Sequence, residues 1–170
     1  MSPHLSFGFI RETLPREQRA PITPAGVEQL IGAGHSVLFQ TGAGAGAGWD
    51  DDDYLAAGAD AQMSPQEVCD SADVLVKIHA PNTQEVALLR PQSTLLGFLH
   101  LSNPAKMSLR QTIRDCQISA VAFELLEADD GSRPVLEPLS AIGGRVAIIL
   151  ATRHLLVSGG GLGRLMGGSP

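Results

Sequence analysis

The sequence predicts an α/β protein: a flavodoxin-like or otherwise doubly wound parallel sheet, with helices on both faces and a long C-terminal helix. Three observations predict it. Residues 73–81 and 93–101 are short runs apolar on both faces, the pattern of strands buried between helical layers. Strand-like and helix-like stretches alternate at least four times, which implies parallel pairing through crossover helices. Near the end, Ile142, Val146, Ile149, Leu150, Leu156 and Val157 recur at helical spacing.

Bulk properties narrow the classes. The chain has 170 residues, enough for one domain with an appended element, which we expect to divide into 1–138 and 139–170. It is 44% hydrophobic but only 4% aromatic, so the expected core is aliphatic: Val, Leu, Ile and Ala. The formal net charge is -6 and no basic patch is visible, which argues against nucleic acid. No stretch approaches the ~20 apolar residues of a membrane span, and no secretory signal opens the chain, so a cytoplasmic protein is expected. Cys69 and Cys116 fall in different predicted helices and read as reduced, structural thiols. The five histidines show no metal-ligand spacing, so no metal is expected.

In chain order, 5–10 is the first strand and 11–21 a polar, proline-punctuated loop. Thr23-Pro24 opens a helix, threonine as cap and proline in the first turn, ending near Gly34. Residues 36–40 are the second strand. The alternating glycines of 42–48 follow it, but four aspartates come next, Asp50 to Asp53. An acidic helix start repels phosphate, so this reads as a flexible loop rather than a dinucleotide cradle. Asp50 or Asp51 caps a short helix ending at Gly58. Ser64-Pro65-Gln66-Glu67 is a capping box for a helix to about Ser71.

The two apolar runs come next, separated by a helix capped by Asn82 or Thr83 and ending near Arg90. Each run delivers a titratable residue near its C-terminal end, Lys77 and His100. In open α/β sheets that edge is where ligands bind. A lysine buried in a strand is desolvated, which suits it to proton chemistry. The alternative is that Lys77 pairs with a carboxylate and His100 is simply satisfied at a strand end. Asn103-Pro104 starts a helix to about Asp115, and 118–123 is a last strand ending at Glu124. Asp130-Gly131 marks a turn or hairpin. Ser140 is expected to cap the final helix, 141–157, before a glycine-rich tail.

Several stretches together resemble the alanine dehydrogenases and proton-translocating nicotinamide nucleotide transhydrogenases. They are Arg19-Ala20-Pro21-Ile22-Thr23-Pro24, Gly34-His35-Ser36-Val37-Leu38, Val74-Leu75-Val76-Lys77 and Phe98-Leu99-His100-Leu101. Gly144-Arg145-Val146-Ala147, His154-Leu155 and Leu165-Met166-Gly167-Gly168 resemble the alanine dehydrogenase branch. The resemblance implies that 1–138 is a substrate-binding domain and 139–170 an interdomain connection. It also implies that Arg19 and Lys77 hold a small 2-oxo or 2-amino acid while His100 moves a proton. His79 and Glu124 are further candidates for substrate contact, and Ser140 for cofactor contact. The chemistry fits these types: a guanidinium grips a carboxylate by two hydrogen bonds, an ammonium polarises a keto oxygen, and an imidazole exchanges a proton.

The departures are specific. His79-Ala80-Pro81 stands where the family has another lysine or asparagine and then Glu-Pro, and Ala141 and Leu162 replace a glutamate and an arginine. The family's nucleotide-binding domain follows the point where this sequence stops. NAD is therefore implied for the family but not expected to bind this chain alone. Three functions stay open. The chain is the substrate domain of an NAD-dependent oxidoreductase, with an NAD-binding partner chain. Or it is a cofactor-independent lyase, isomerase or cyclase using Lys77 and His100. Or it is a non-catalytic domain that forms a homo-oligomer through its C-terminal helix.

Overall fold

A computed structural model describes residues 3–62 and 64–166. The chain divides into two compact units between Phe123 and Glu124. The first is a six-stranded parallel sheet. Its strands are β1 (Ser6–Phe9), β2 (Ser36–Gln40), β3 (Asp60–Gln62), β4 (Val74–His79), β5 (Thr94–Phe98) and β6 (Ser119–Ala122). The spatial order is β3-β2-β1-β4-β5-β6 with every pairing parallel, which makes it the doubly wound Rossmann arrangement rather than the flavodoxin one. The chain reverses its direction of travel across the sheet between β1 and β4, and this switch point organises everything below.

The helices follow the caps. In α1 (Pro24–Gly32) the Thr23 side chain accepts from Gly26 N, with Pro24 in the first turn. Capping boxes start α2 (Asp51–Ala56) at Asp50/Asp53, α3 (Pro65–Ser71) at Ser64/Glu67 and α4 (Thr83–Ala87) at Asn82/Glu85. The run after Asn103 begins as a 3-10 turn, Pro104–Lys106, before α5 (Met107–Asp115).

Two cores result, one on each face of the sheet. On one face Val27 of α1 and Tyr54 of α2 pack with Phe9, Val37, Phe39, Val74 and Val76. On the other, Val68 and Cys69 of α3, Val86 of α4 and Leu109 and Ile113 of α5 pack with Leu75, Leu95 and Leu99. Strand alternation assigns the faces: Val74 and Val76 go to one, Leu75 and therefore Lys77 to the other. Gly8 lets α3 lie close on β1, since a Cβ there would come within 2.7 Å of both Val68 and Ala72.

Three expectations need correction. The first core is not aliphatic. Phe9, Phe39 and Tyr54 are fully buried with ring centroids 5.1 to 5.8 Å apart, and Trp49 packs on Tyr54 edge-on. A low aromatic fraction says nothing about clustering, and here the few rings converge on one face. Next, β3 was not expected: three residues, Asp60-Ala61-Gln62, carry no apolar alternation, and the strand exists because it completes the ladder beside β2.

The last correction concerns the second unit. The long helix α6 spans Leu136–Leu155, so Ser140 lies inside it and caps nothing. Its start is built on Arg133, whose carbonyl accepts from Glu137 N and whose N–H donates to Glu137 Oε1. Pro138 falls in the first turn, where its missing N–H costs nothing, so it did not mark the end of the preceding loop. The Asp130-Gly131 turn forms, closed by Gly131 N to Ala128 O, with no hairpin around it.

Candidate functional site

The C-terminal ends of β1 and β4 flank the switch point. From β1 the chain continues into Arg11 and Glu12; from β4 it delivers Lys77, Ile78 and His79. The β4–β5 register shifts between Val76 and His79, a bulge beside the site. It turns the Ile78 and His79 N–H groups to Glu12, at 2.7 Å to Oε1 and 3.4 Å to Oε2. Gly97 of β5 permits this path, because a Cβ there would lie 2.9 Å from the Lys77 carbonyl oxygen.

Lys77 is 1% exposed. Its ammonium donates to Glu85 Oε1 at 2.6 Å and lies 3.8 Å from Glu12 Oε2, with Arg11 O at 3.4 Å. The carboxylate-paired alternative for Lys77 is thus what the structure shows. One ammonium faces two buried carboxylates, and a buried charge is tolerated only with such partners. Lys77 still lines a pocket of about 210 Å³, with Glu12, Thr13, His79, Asn82 and Lys106 among its walls.

Arg19 lies in the neighbouring pocket, about 130 Å³, which it shares with Arg11, Glu12, Glu17 and the glycine loop. Glu12 lines both pockets. The Glu17 carboxylate takes Arg19 Nε at 2.8 Å and Nη2 at 2.5 Å, and sits 2.6 Å from His79 Nε2. The Arg19 guanidinium, foremost, holds the Glu17 carboxyl down at about 2, and the Glu17 carboxylate in turn raises Arg19. Glu17 is therefore an acceptor at neutral pH, so His79 Nε2 carries the proton. Arg19 and His79 donate to the same oxygen, and the 3.3 Å between them separates two donors.

The glycine loop is closely packed rather than loose. A Cβ on Gly46 would lie 2.8 Å from Gln18 O, and one on Gly44 would overlap the Tyr54 ring. It offers no pyrophosphate cradle: the Gly42 N–H is taken by Asp51 Oδ1 at 2.7 Å, and Asp50 caps the helix that follows. The turn after β1 contains no glycine at all and ends in the buried Glu12. Neither turn fits a dinucleotide.

Of the expected site residues, then, Lys77 and His79 share one pocket and Arg19 lines the next. His100 is exposed two residues beyond β5, with φ of 47° and its ring stacked on Phe98. Glu124 follows β6 and opens the second unit, and Ser140 lies within α6; neither belongs to the lining of these pockets. Sequence reasoning missed Glu12, Glu85, Glu17 and Lys106. Two had a signal: Glu85 is the fourth residue of an Asn-x-x-Glu capping box, and Glu12 follows β1 at the ligand-binding edge. Among the described residues no group of three or more His, Cys, Asp and Glu is placed to hold a metal. Burial, above all, lifts the Cys69 thiol to about 11, which leaves it inert as expected of a structural cysteine.

Comparison with known proteins decides the family. The family description "Alanine dehydrogenase/PNT, N-terminal domain" matches residues 8–143. The chain belongs to this family. The alanine dehydrogenase of Methanococcus maripaludis is 37% identical over 163 residues, 96% of this chain and 43% of that protein. That of Mycobacterium tuberculosis strain H37Rv is 39% identical over the same length, again 96% and 43%. A solved L-alanine dehydrogenase superposes with a TM-score of 0.86 at 34% identity, covering 98% of this chain and 45% of that one. A transhydrogenase from Sinorhizobium meliloti gives 0.65 at 25% identity, over 71% and 35%. This alanine dehydrogenase/PNT N-terminal domain therefore spans less than half the length of the relatives it matches. Among the described residues no helix is long and apolar enough to cross a membrane.

Proposed function

We propose that this chain is the substrate domain of an alanine-dehydrogenase-like, NAD-dependent oxidoreductase, and that the switch-point pocket binds a small 2-oxo or 2-amino acid. The observation that carries the reading is Lys77: an ammonium buried to 1% exposure at the end of β4, held by Glu85 and still lining a pocket. Its remaining hydrogen-bonding capacity suits the 2-oxo oxygen or 2-amino group of an acid, and we assign the proton exchange to His100, past the end of the adjacent strand β5, by resemblance to the family. Arg19 is the family's carboxylate grip by resemblance, although Glu17 already occupies one edge of its guanidinium.

Nothing in the two glycine or switch-point turns fits a dinucleotide, so the nicotinamide nucleotide belongs to a further domain or a partner chain. The 170-residue chain alone is accordingly expected to give no NADH-dependent reduction of pyruvate.

Calorimetric titration with pyruvate, longer 2-oxo acids and 2-amino acids tests the reading. One acid-binding site is expected, weakened at least about tenfold in Lys77→Met. A Lys77→Met/Glu85→Gln pair guards against unfolding from the stranded carboxylate. Unchanged affinity in both variants, or no acid bound by the wild type, would overturn it.

A second reading rests on α6. Ile142, Val146 and Ile149 lie within a narrow stripe at helical spacing and are each about half or more exposed within the chain. We propose that this stripe pairs with a second copy of the chain.

A further inference from the structure

Resting on the acid-binding reading above, we propose that Glu12 receives the ammonium of a 2-amino acid and so decides how the site tells 2-amino from 2-oxo acids. The ligand's own chemistry sets the requirement. At neutral pH a free 2-amino acid carries its nitrogen as an ammonium, with three donors and no acceptor. A 2-oxo oxygen accepts from Lys77; an ammonium cannot, and it meets like charge there. The Arg19 guanidinium and His79 Nε2 are donors as well. The site therefore needs a carboxylate for this group.

Of the carboxylates beside Lys77 and Arg19, two are spent. Glu17 gives its oxygens to Arg19 and His79. Glu85 gives Oε1 to Lys77 at 2.6 Å and Oε2 to Asn82 N at 2.9 Å, and it is not part of the Lys77 pocket lining. Glu12 is left. Its Oε1 takes the Ile78 N–H at 2.7 Å, but Oε2 has only His79 N at 3.4 Å and Lys77 Nζ at 3.8 Å. The latter is beyond hydrogen-bond range, so an oxygen on a side chain only 2% exposed keeps acceptor sites unused. One more charged donor completes a buried carboxylate in that state.

The placement of Glu12 suits the task. Among the described residues it alone is common to the linings of the Lys77 and Arg19 pockets. An acid with its carboxylate on Arg19 and its 2-position toward Lys77 has its nitrogen beside the residue that both pockets share. The bulge in β4 fixes the Glu12 carboxylate there, because the N–H groups that hold it belong to Ile78 and His79, where the register shifts. Lys77 is left for the 2-oxo oxygen, and for the amino nitrogen in its neutral form, which has a lone pair to accept. A 2-oxo acid brings no donor to Glu12 and gains nothing from it.

The test is calorimetry of the purified chain with L-alanine, L-lactate and pyruvate, in wild type, Glu12→Gln and Glu12→Asp. Lactate keeps the carboxylate and shape of alanine and replaces the ammonium by a hydroxyl. The readout is the ratio of alanine to lactate affinity, because a variant that merely loosens the fold weakens all three ligands together. Glu12→Gln is expected to lower that ratio about tenfold or more, the loss of one charge-assisted hydrogen bond, and to leave pyruvate within about threefold of wild type. Glu12→Asp draws the carboxylate back by one methylene and should lower the ratio in the same direction; it carries the test if Glu12→Gln is unfolded. A ratio unchanged in either folded variant, a loss shared equally by the three ligands, or a wild type that binds pyruvate but not alanine would overturn the assignment and leave the acid site standing. No acid bound by the wild type, or binding indifferent to Lys77→Met, would remove the acid-binding reading and this assignment together.

Discussion

Glu85 gives one carboxylate oxygen to the Lys77 ammonium, at 2.6 Å, and the other to the backbone N–H of Asn82, at 2.9 Å. A single side chain thus starts α4 and neutralises the buried cation of the candidate site. The helix cap and the site are one structure, so a change at either end is felt at the other.

Replacing Glu85 by Gln separates the two duties. Glutamine serves in a capping box, but it leaves Lys77 buried with only Glu12, at 3.8 Å. Breaking a buried pair from one side costs about 3–5 kcal/mol, and the retained hydrogen bond should hold the loss near ~2–3 kcal/mol. Urea denaturation should show that drop for Glu85→Gln. The double variant with Lys77→Met should be destabilised by less than the sum of the singles. Additive losses would mean the two residues do not interact.

Acid stability should depend on Glu17. Its carboxyl falls from 4.5 to about 2 beside the Arg19 guanidinium. The folded protein binds that proton less readily than the unfolded chain, so the stabilisation is complete above about pH 4.5 and disappears as the pH falls through about 2. Arg19 is 48% exposed, so solvent screening limits the effect to ~1–2 kcal/mol. Melting curves of wild type and Glu17→Gln should differ above pH 4.5 and converge near pH 2. Parallel curves across that range would place the Glu17–Arg19 contact outside the stabilising set.

Gly46→Ala should disturb the Arg19 pocket without touching a charge. The added methyl would meet the Gln18 backbone, at 2.8 Å from O and 2.9 Å from Cα. Backbone cannot swing aside as a side chain can, and overpacking of this kind costs about 1–3 kcal/mol. Residues 17–19 should shift, breaking the Glu17–His79 contact. The histidine ring signals in NMR would report it, and unchanged signals with unchanged stability would show that the loop yields instead.

Self-pairing of α6 is tested at Ile149, which is 67% exposed. Ile149→Asp should leave the unfolding free energy within about 0.5 kcal/mol of wild type at concentrations where the chain is single. It should abolish self-association in sedimentation equilibrium. A wild type that stays monomeric at all concentrations, or a variant that still associates, would remove that reading.

Local chemistry in the sequence determined most of the elements. Thr23-Pro24, the Ser64 capping box, the cap at Asn82 or Thr83 and the two-faced apolar runs each place an element by interactions within a few residues, and these elements hold in the structure, with Asn82 as the cap. The strand ends that carry Lys77 and His100 were legible for the same reason. What only the tertiary structure decided is what meets across the chain. β3 exists through its partner β2, the aromatic core through rings contributed by β1, β2 and α2, and the start of α6 through Arg133 and Glu137 rather than Ser140. Glu12 and Lys77 are 65 residues apart in sequence, and their ion pair forms only because the chain reverses direction between β1 and β4. Sequence fixes which groups a residue carries, but which charges cancel and which remain available depends on long-range packing. That cancellation, rather than residue type, decides what Lys77 has left to offer a ligand.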